Sequence, residues 1–597
     1  MKFSLAKVKL PSLVNSLLAV ISAVLLTLSF PDFDLWFLAW FALIPLFFVI
    51  NREKESFVKS FVLGWIFGTS FFFGTCWWLT FAPITYGGVP AMIAYPLLFG
   101  AALVAGLFPA IFGAIFSLLL KRFGTYASLF APFIWMATEF LRFNLTGNNW
   151  NAIGYSQAFS GKSLQYASVG GVYLVGFLII LNNSFFIWLY QYLKKEFGEG
   201  IFASYIRFKL YTPFSYMIQN DDGMQKTVTG KQQLIIIALV FLPVPIGIMS
   251  ILIGENHSPS KPLVPIPENT FVIAVQPNVP MSGLKYGERE KLRERHIQLA
   301  QNVITNSKFD EYAEEEANTY SKSEKFEKDK KFYSDLAVKN FQNAQKVVIF
   351  PESPMNFMYE NDREFQEFIK DFAIKNNVSV LFNSAEPNLR GDNLYNSAVM
   401  INSSGEKVAQ YDKIHLVPFG EYVPLPEPVA RFVPSMVGNF QYGSEYDLLP
   451  FGDAKGGVMI CFESHFPSLS REFVHNGADV LIEMTNDGYL GETPVLRQHL
   501  ANAVFRAIET NRPVLRVTNV GVTAFINERG EVLDAAKPYT EDTRVWTISK
   551  SNANQTFYVK YGEWFAWLCS LVSLGLLSIC SWKKEKKKEK FATAERC

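Results

Sequence analysis

Long unbroken apolar runs fill the first 253 residues and one stretch near the end of the chain, and a block of mixed character lies between them. A helix that crosses a bilayer needs about 20 apolar residues. Runs that meet or approach this length cover residues 12–30, 35–50, 57–80, 91–120, 127–141, 169–193, 234–253 and 564–582. The pattern predicts about eight transmembrane helices. The runs 35–50 and 127–141 are short for a span, and 91–120 is long and holds Pro96 and Pro109. That run reads as one kinked helix or as two pieces. Lys2, Lys7 and Lys9 precede the first run, but Leu28-Ser29-Phe30-Pro31 offers no small-residue cleavage site, so the run reads as a retained anchor.

Lys and Arg fall in alternate loops. Residues 31–34 and 82–90 have none, whereas Arg52 and Lys54, Lys121 and Arg122, and Lys194 and Lys195 mark the intervening turns. A basic tail, 583–597, closes the chain. Positive loops stay cytoplasmic, so both termini are expected inside and the block between the last two spans outside.

That block starts after a Pro-rich linker, 254–269. Strand-like runs at 270–276, 346–350, 378–382, 397–401, 457–461, 479–483, 514–518 and 522–526 alternate with helical patterns at 288–306, 362–376 and 493–510. Several strands are continuously apolar, as expected when both faces are covered, and the alternation predicts a layered α/β domain over 270–550. Residues 309–332, dense in Glu, Lys, Ser and Tyr, read as a solvated insertion.

Composition narrows the function. Half the residues are hydrophobic, 18% are charged, and the net charge of +1 gives no electrostatic case for nucleic-acid binding. Five cysteines in 597 residues form neither a disulfide framework nor a zinc-ligand spacing, and neither metal nor cofactor is expected. Cys76, Cys569 and Cys580 lie in apolar runs and Cys597 in the tail, which leaves Cys461 as the single thiol of the polar block. Glu139 and Arg142, three apart in an apolar run, read as a structural pair rather than an ion pathway.

Three reactive residues stand at or beyond strand ends, where α/β sheets gather their sites: Glu352, Lys413 and Cys461. A thiol, with a free pKa of about 8.5, needs a base to become a nucleophile. A glutamate can take that proton, and a lysine ammonium can stabilise the oxyanion formed on an attacked carbonyl. Singly, each residue has a plainer reading, since a cysteine ending an apolar strand is usually a small core hydrophobe and a Glu or Lys there is usually solvated.

The segments Pro351-Glu352-Ser353, Lys413 to Pro424 (with His415-Leu416-Val417-Pro418-Phe419-Gly420-Glu421) and Asn486-Asp487-Gly488-Tyr489 resemble the nitrilase (carbon–nitrogen hydrolase) superfamily. The bundle on either side, with Gly154-Tyr155-Ser156-Gln157, resembles that superfamily's membrane-embedded acyltransferase branch. The resemblance implies an extracytoplasmic α-β-β-α nitrilase-like sandwich on a polytopic helical membrane bundle, in a bacterial inner membrane with the sandwich on the periplasmic side. It implies Cys461 as nucleophile, Glu352 as general base and Lys413 as oxyanion stabiliser, with Glu421, Phe462, Glu463, Tyr286 and Tyr489 supporting them or binding substrate. Phe462 stands where the family usually has Tyr, and Tyr286 and Tyr489 where it usually has Trp. The implied reaction takes an acyl chain from a membrane phospholipid, through a Cys thioester, to diacylated apolipoproteins, performed by a monomer. Two other readings are a membrane-tethered amidase that uses water as acceptor, and a transporter or scaffold with an inactive nitrilase-like domain.

Overall fold

The computed structural model describes residues 10–31, 33–209, 270–281, 286–305, 344–352, 357–388, 393–423 and 440–594. The expected span 234–253, the linker 254–269 and the insertion 309–332 lie outside the described residues.

Four apolar helical stretches among the described residues are long enough to cross a membrane: Phe57–Thr75, Ala91–Thr146, Leu164–Tyr192 and Trp564–Ser581. Leu13–Leu28 and Trp36–Arg52 are shorter and apolar. The long run is one helix, Ala91–Phe123, with both prolines inside it. Gly124, at φ +58°, ends that helix, and the chain doubles back so that the rings of Phe112 and Trp135 meet at 4.8 Å. The returning helix, Ala131–Thr146, is therefore a separate element. The run 35–50 is broken at Leu43, whose amide donates to Asn183 Oδ1 at 2.9 Å.

Small residues let two of these helices touch backbone to backbone. A Cβ on Gly64 would lie 2.3 Å from the Pro109 carbonyl oxygen, and one on Gly68 2.8 Å from Gly106 Cα. In lipid, where no hydrophobic force drives helices together, such close van der Waals approach holds a bundle. Glu139 and Arg142, neighbours in charge, also clasp one loop. Glu139 accepts from the Ile153 amide and the Trp135 indole, both at 3.0 Å, and Arg142 donates to the Trp150 carbonyl at 3.0 Å.

The polar block holds thirteen strands among the described residues: β1 (Thr270–Gln276), β2 (Lys346–Ile349), β3 (Ser379–Pro387), β4 (Leu394–Ile401), β5 (Lys407–Asp412), β6 (Phe440–Gln441), β7 (Leu448–Phe451), β8 (Ala454–Ile460), β9 (Val480–Thr485), β10 (Val514–Thr518), β11 (Ala524–Ile526), β12 (Val532–Leu533) and β13 (Asp542–Ile548). One sheet runs β13-β1-β2-β3-β4-β5, with β6 beside β4, and the other runs β12-β11-β10-β9-β8-β7. β1, β2 and β3 are parallel, as are β8, β9 and β10, and antiparallel strands flank both groups.

Alternation along β1 assigns its two faces. Val272 and Ala274 share a core with Val458, Ile460 and Leu481 of the second sheet. Phe271, Ile273 and Val275 pack with Phe365, Ile369 and Phe372 of the helix Arg363–Asn376. Both faces of the first sheet are thus covered, which is why its strands read as unbroken apolar runs.

The helix Val495–Thr510 joins this block to the bundle. Gln498 accepts from the indoles of Trp78 (3.1 Å) and Trp150 (3.0 Å) and donates to the carbonyls of Pro31 (3.0 Å) and Thr75 (3.2 Å). Arg506 donates to the Tyr155 hydroxyl at 3.2 Å, and Glu509 accepts from the Val172 amide at 3.1 Å. Arg497 pairs with Asp34 at 2.6 Å.

Candidate active site

Glu352, Lys413 and Cys461 stand just past the carboxyl ends of β2, β5 and β8. Two of these strands belong to one sheet and the third to the other, so the residues meet where the sheets adjoin. Lys413 Nζ lies 3.8 Å from Glu352 and 2.8 Å from Glu421. Asn396 of β4 bridges the two carboxylates, donating to Glu421 at 2.6 Å and to Glu352 at 3.3 Å. The Cys461 thiol lies beside Glu352 and Thr485, the latter at the end of β9.

Cys461 holds a left-handed backbone, φ +54°. For a residue with a Cβ this conformation costs on the order of 1–3 kcal/mol and persists only where the surroundings enforce it. It turns the chain from β8 into the short 3-10 helix Cys461–His465 and projects the thiol from the turn. Glu463 fastens this turn to the lysine. One carboxylate oxygen accepts from the Ile460 amide at 2.8 Å. The other accepts from the amides of Ile414 (2.7 Å) and His415 (3.0 Å) and from the Tyr411 hydroxyl (2.8 Å).

Burial sets the protonation pattern. It pushes the Cys461 thiol well above its ordinary range; the Glu352 charge adds to this and Lys413 opposes it. Burial also raises Glu352, again against Lys413. Burial works against the Lys413 ammonium, but Glu421 and Glu352 outweigh it and raise the lysine above its usual value. Burial lifts Glu463 to about 7, against Lys413 and its amide donors. The cluster therefore sets a thiol held in its protonated form beside a glutamate whose proton affinity is raised and an ammonium held charged. Such a set can generate a thiolate at the moment of attack and stabilise a tetrahedral oxyanion.

Of the supporting residues expected from sequence, Glu421 and Glu463 join the cluster. Phe462 stacks on Trp150 of the bundle, centroids 6.3 Å apart and planes 14° from parallel. Tyr489, in the 3-10 turn Asp487–Leu490, meets Tyr86 of the bundle edge-on at 6.4 Å. Burial raises its phenol, and the neighbouring Glu352 and Cys461 add to that. Tyr286 opens the helix Tyr286–Thr305, and its side chain lies outside the described residues.

Asn396 and Thr485 were not legible in the sequence, nor was a buried group behind Cys461. Arg516 of β10 binds Glu483 of β9 at 2.5 Å and Asp487 at 2.7 Å, and His499 lies against both carboxylates. A signal was available, because Arg516 and Glu483 interrupt otherwise apolar strands and a buried charge requires a partner.

Residues 22–185 match the family model of the apolipoprotein N-acyltransferase N-terminal domain, and residues 274–558 match that of carbon–nitrogen hydrolases. The chain is 27% identical to an apolipoprotein N-acyltransferase of Geobacter metallireducens, over 93% of this chain and 92% of the relative. It is 26% identical to one of Thermotoga maritima, over 94% and 93%. A solved carbon–nitrogen hydrolase from Helicobacter pylori matches 47% of this chain and 89% of its own, with 16% identity and a TM-score of 0.33. Fold, site and matched segments together define a carbon–nitrogen hydrolase domain carried on a bundle of membrane helices. Because the matches run through both parts over nearly the full length, the chain belongs to the apolipoprotein N-acyltransferase family.

Proposed function

We propose that this chain moves an acyl chain from a membrane phospholipid, through a thioester on Cys461, to the α-amino group of an S-diacylglyceryl cysteine at the N-terminus of an apolipoprotein. The observation that carries the mechanism is the meeting of Glu352, Lys413 and Cys461 past the ends of β2, β5 and β8, with the Lys413 ammonium 3.8 Å from the Glu352 carboxylate. Glu352 takes the thiol proton as sulfur bonds to the ester carbonyl carbon, and Lys413 holds the resulting oxyanion. Collapse breaks the ester C–O bond, and Glu352 returns the proton to the departing lysophospholipid oxygen. In the second half the amine attacks the thioester carbonyl and gives its proton to Glu352, the C–S bond breaks, and the sulfur recovers the proton. Atoms and electrons balance without metal or cofactor, and one copy of the chain supplies every group, as a monomer would require.

Both substrates are lipids, and the site abuts the bundle through Phe462 on Trp150 and Tyr489 on Tyr86. That supports a domain order of bundle 1–253, linker 254–269, catalytic domain 270–550, last helix 564–582 and basic tail 583–597. The two sheets with their flanking helices fit an α-β-β-α sandwich. The loop charges support about eight spans with the sandwich on the periplasmic face.

The test is mass spectrometry of the peptide containing Cys461 after the detergent-solubilised protein meets phospholipid. A gain of one acyl chain, lost again with formation of N-acyl peptide when a diacylated lipopeptide is added, is the expected result. Release of free fatty acid alone, with no N-acyl peptide, would identify a hydrolase instead.

A further inference from the structure

The backbone carbonyl of Cys461 meets a side chain with no part in the steps above. His499, on the helix Val495–Thr510, sets Nε2 at 3.0 Å from this oxygen, and Ser464 Oγ reaches the same oxygen at 3.5 Å. The other ring nitrogen, Nδ1, sits 2.7 Å from Asp487 Oδ1, and Nε2 is also 3.0 Å from Glu483 Oε1. Carbonyl and carboxylate oxygens only accept, so both ring nitrogens must donate, which makes the ring an imidazolium. Everything charged around it is buried. Glu483 comes from β9, Asp487 from the turn after it, and Arg516 from β10, 3.4 Å from Nδ1. Trp150 of the bundle covers the ring at 5.9 Å, and His465 of the Cys461 turn is also near. Two carboxylates face two cations, so the group is balanced only while His499 keeps its second proton.

We propose that His499 is a positioning residue for acyl transfer: by donating to the Cys461 carbonyl it holds the left-handed turn and orients the Cys461–Phe462 peptide. In a trans peptide the N–H points opposite to the C=O. Gripping the oxygen therefore directs the Phe462 N–H away from His499, and this N–H has no partner within the 3-10 turn because it lies at its start. Phe462 N–H and Lys413 Nζ are then the two donors for the oxyanion, one held by His499 and the other by Glu421. The inference rests on the thioester reading above.

The test compares wild type with His499→Gln and His499→Leu in the intact protein in detergent, using a phospholipid with a fluorescent acyl chain and single-turnover labelling of Cys461. Misplacement of a reacting geometry by about 1 Å costs about 10²-fold, so His499→Leu is expected to lose about that factor in rate with half-saturation unchanged within about twofold. His499→Gln, which keeps one donor, is expected to recover part of the loss. Wild type is expected to slow as pH rises through about 9, where His499 deprotonates, and the Gln variant to lack that limb. If His499→Leu does not fold, the Gln profile decides. A Gln variant with wild-type rate and an unchanged alkaline limb would overturn the proposal, whereas a wild type that never labels at Cys461 would remove the thioester reading beneath it.

Discussion

Lys413 holds both oxygens of Glu421, at 2.8 and 3.0 Å, while Glu352 stands 3.8 Å off. Glu421 thus fixes the ammonium and leaves Glu352 to the thiol. Replacing Glu421 with Gln removes the anchoring charge, so acyl-enzyme formation is expected to slow about 10²-fold, the usual loss when an oxyanion donor is disturbed. Combined with Lys413→Ala it should add little, because both act through the same atom. Fully multiplicative losses in single-turnover kinetics would contradict this coupling.

Glu352→Gln is expected to slow thioester formation, because the thiol then stays protonated. Lys413→Ala should slow formation and discharge alike, since each passes through an oxyanion. Cys461→Ala should fold and insert normally yet never carry an acyl group. The two half-reactions are measured separately by labelling Cys461 and then adding lipopeptide, and turnover by the Ala variant would end the assignment.

The buried group behind Cys461 predicts a two-sided stability profile. Burial and Arg516 work against charge on His499, yet Glu483 and Asp487 prevail and lift it to about 9. The folded chain thus binds this proton more tightly than the unfolded one. Its stabilisation is complete below about pH 6.5 and disappears as pH climbs through about 9. Burial alone would raise Asp487 and Glu483, but Arg516 and His499 hold both below the carboxylate range, so their contribution is present at neutral pH and fades under acid. Thermal unfolding against pH should show the alkaline edge in wild type and a flatter one in His499→Gln.

Gln498→Leu is expected to loosen the catalytic block from the bundle. It leaves the Trp150 indole N–H and the Pro31 carbonyl without their partner, while the Trp78 indole keeps the Thr75 carbonyl at 3.0 Å, a cost of roughly 2–4 kcal/mol. A lower thermal midpoint and faster proteolysis between the two parts are the readouts, and an unchanged midpoint would count against this joint.

Tyr489→Ala should leave thioester formation near wild type and slow its discharge to lipopeptide, as expected of a ring that meets Tyr86 of the bundle and takes no part in the proton transfers. If both half-reactions are unaffected, the ring is packing alone.

The trio was legible because β2, β5 and β8 give way to polar residues at the edge of the core, and the motif around Lys413 is long. Asn396 was not, because its role arises from pairing across β4 and β5, where Ser397 lies opposite Asp412 and the Lys413 amide donates to the Asn396 carbonyl. No local pattern encodes that register. The pairing of β13 with β1 was hidden for the same reason, since it joins segments more than 260 residues apart by sequence number, Thr270 to Ile548. The expected strand ends differ from the observed ones by up to five residues where polar positions such as Ser384, Thr485 and Asn396 continue the ladder into the site. The helix Ala131–Thr146 ran past the expected 127–141 because Arg142 and Thr146 find backbone partners nearby instead of water.

The helix Val495–Thr510 faces two ways. His499 looks inward to the Cys461 carbonyl, while Gln498, Arg506 and Glu509, spread over three turns, grip the bundle. A joint fastened at three heights along one rod neither swings nor slides without releasing every fastening at once. The sulfur therefore sits at a constant height relative to the bundle, and a substrate must bring its reacting bond to that level. Under the proposed reaction, selection among donors becomes a matter of where along the lipid the ester lies.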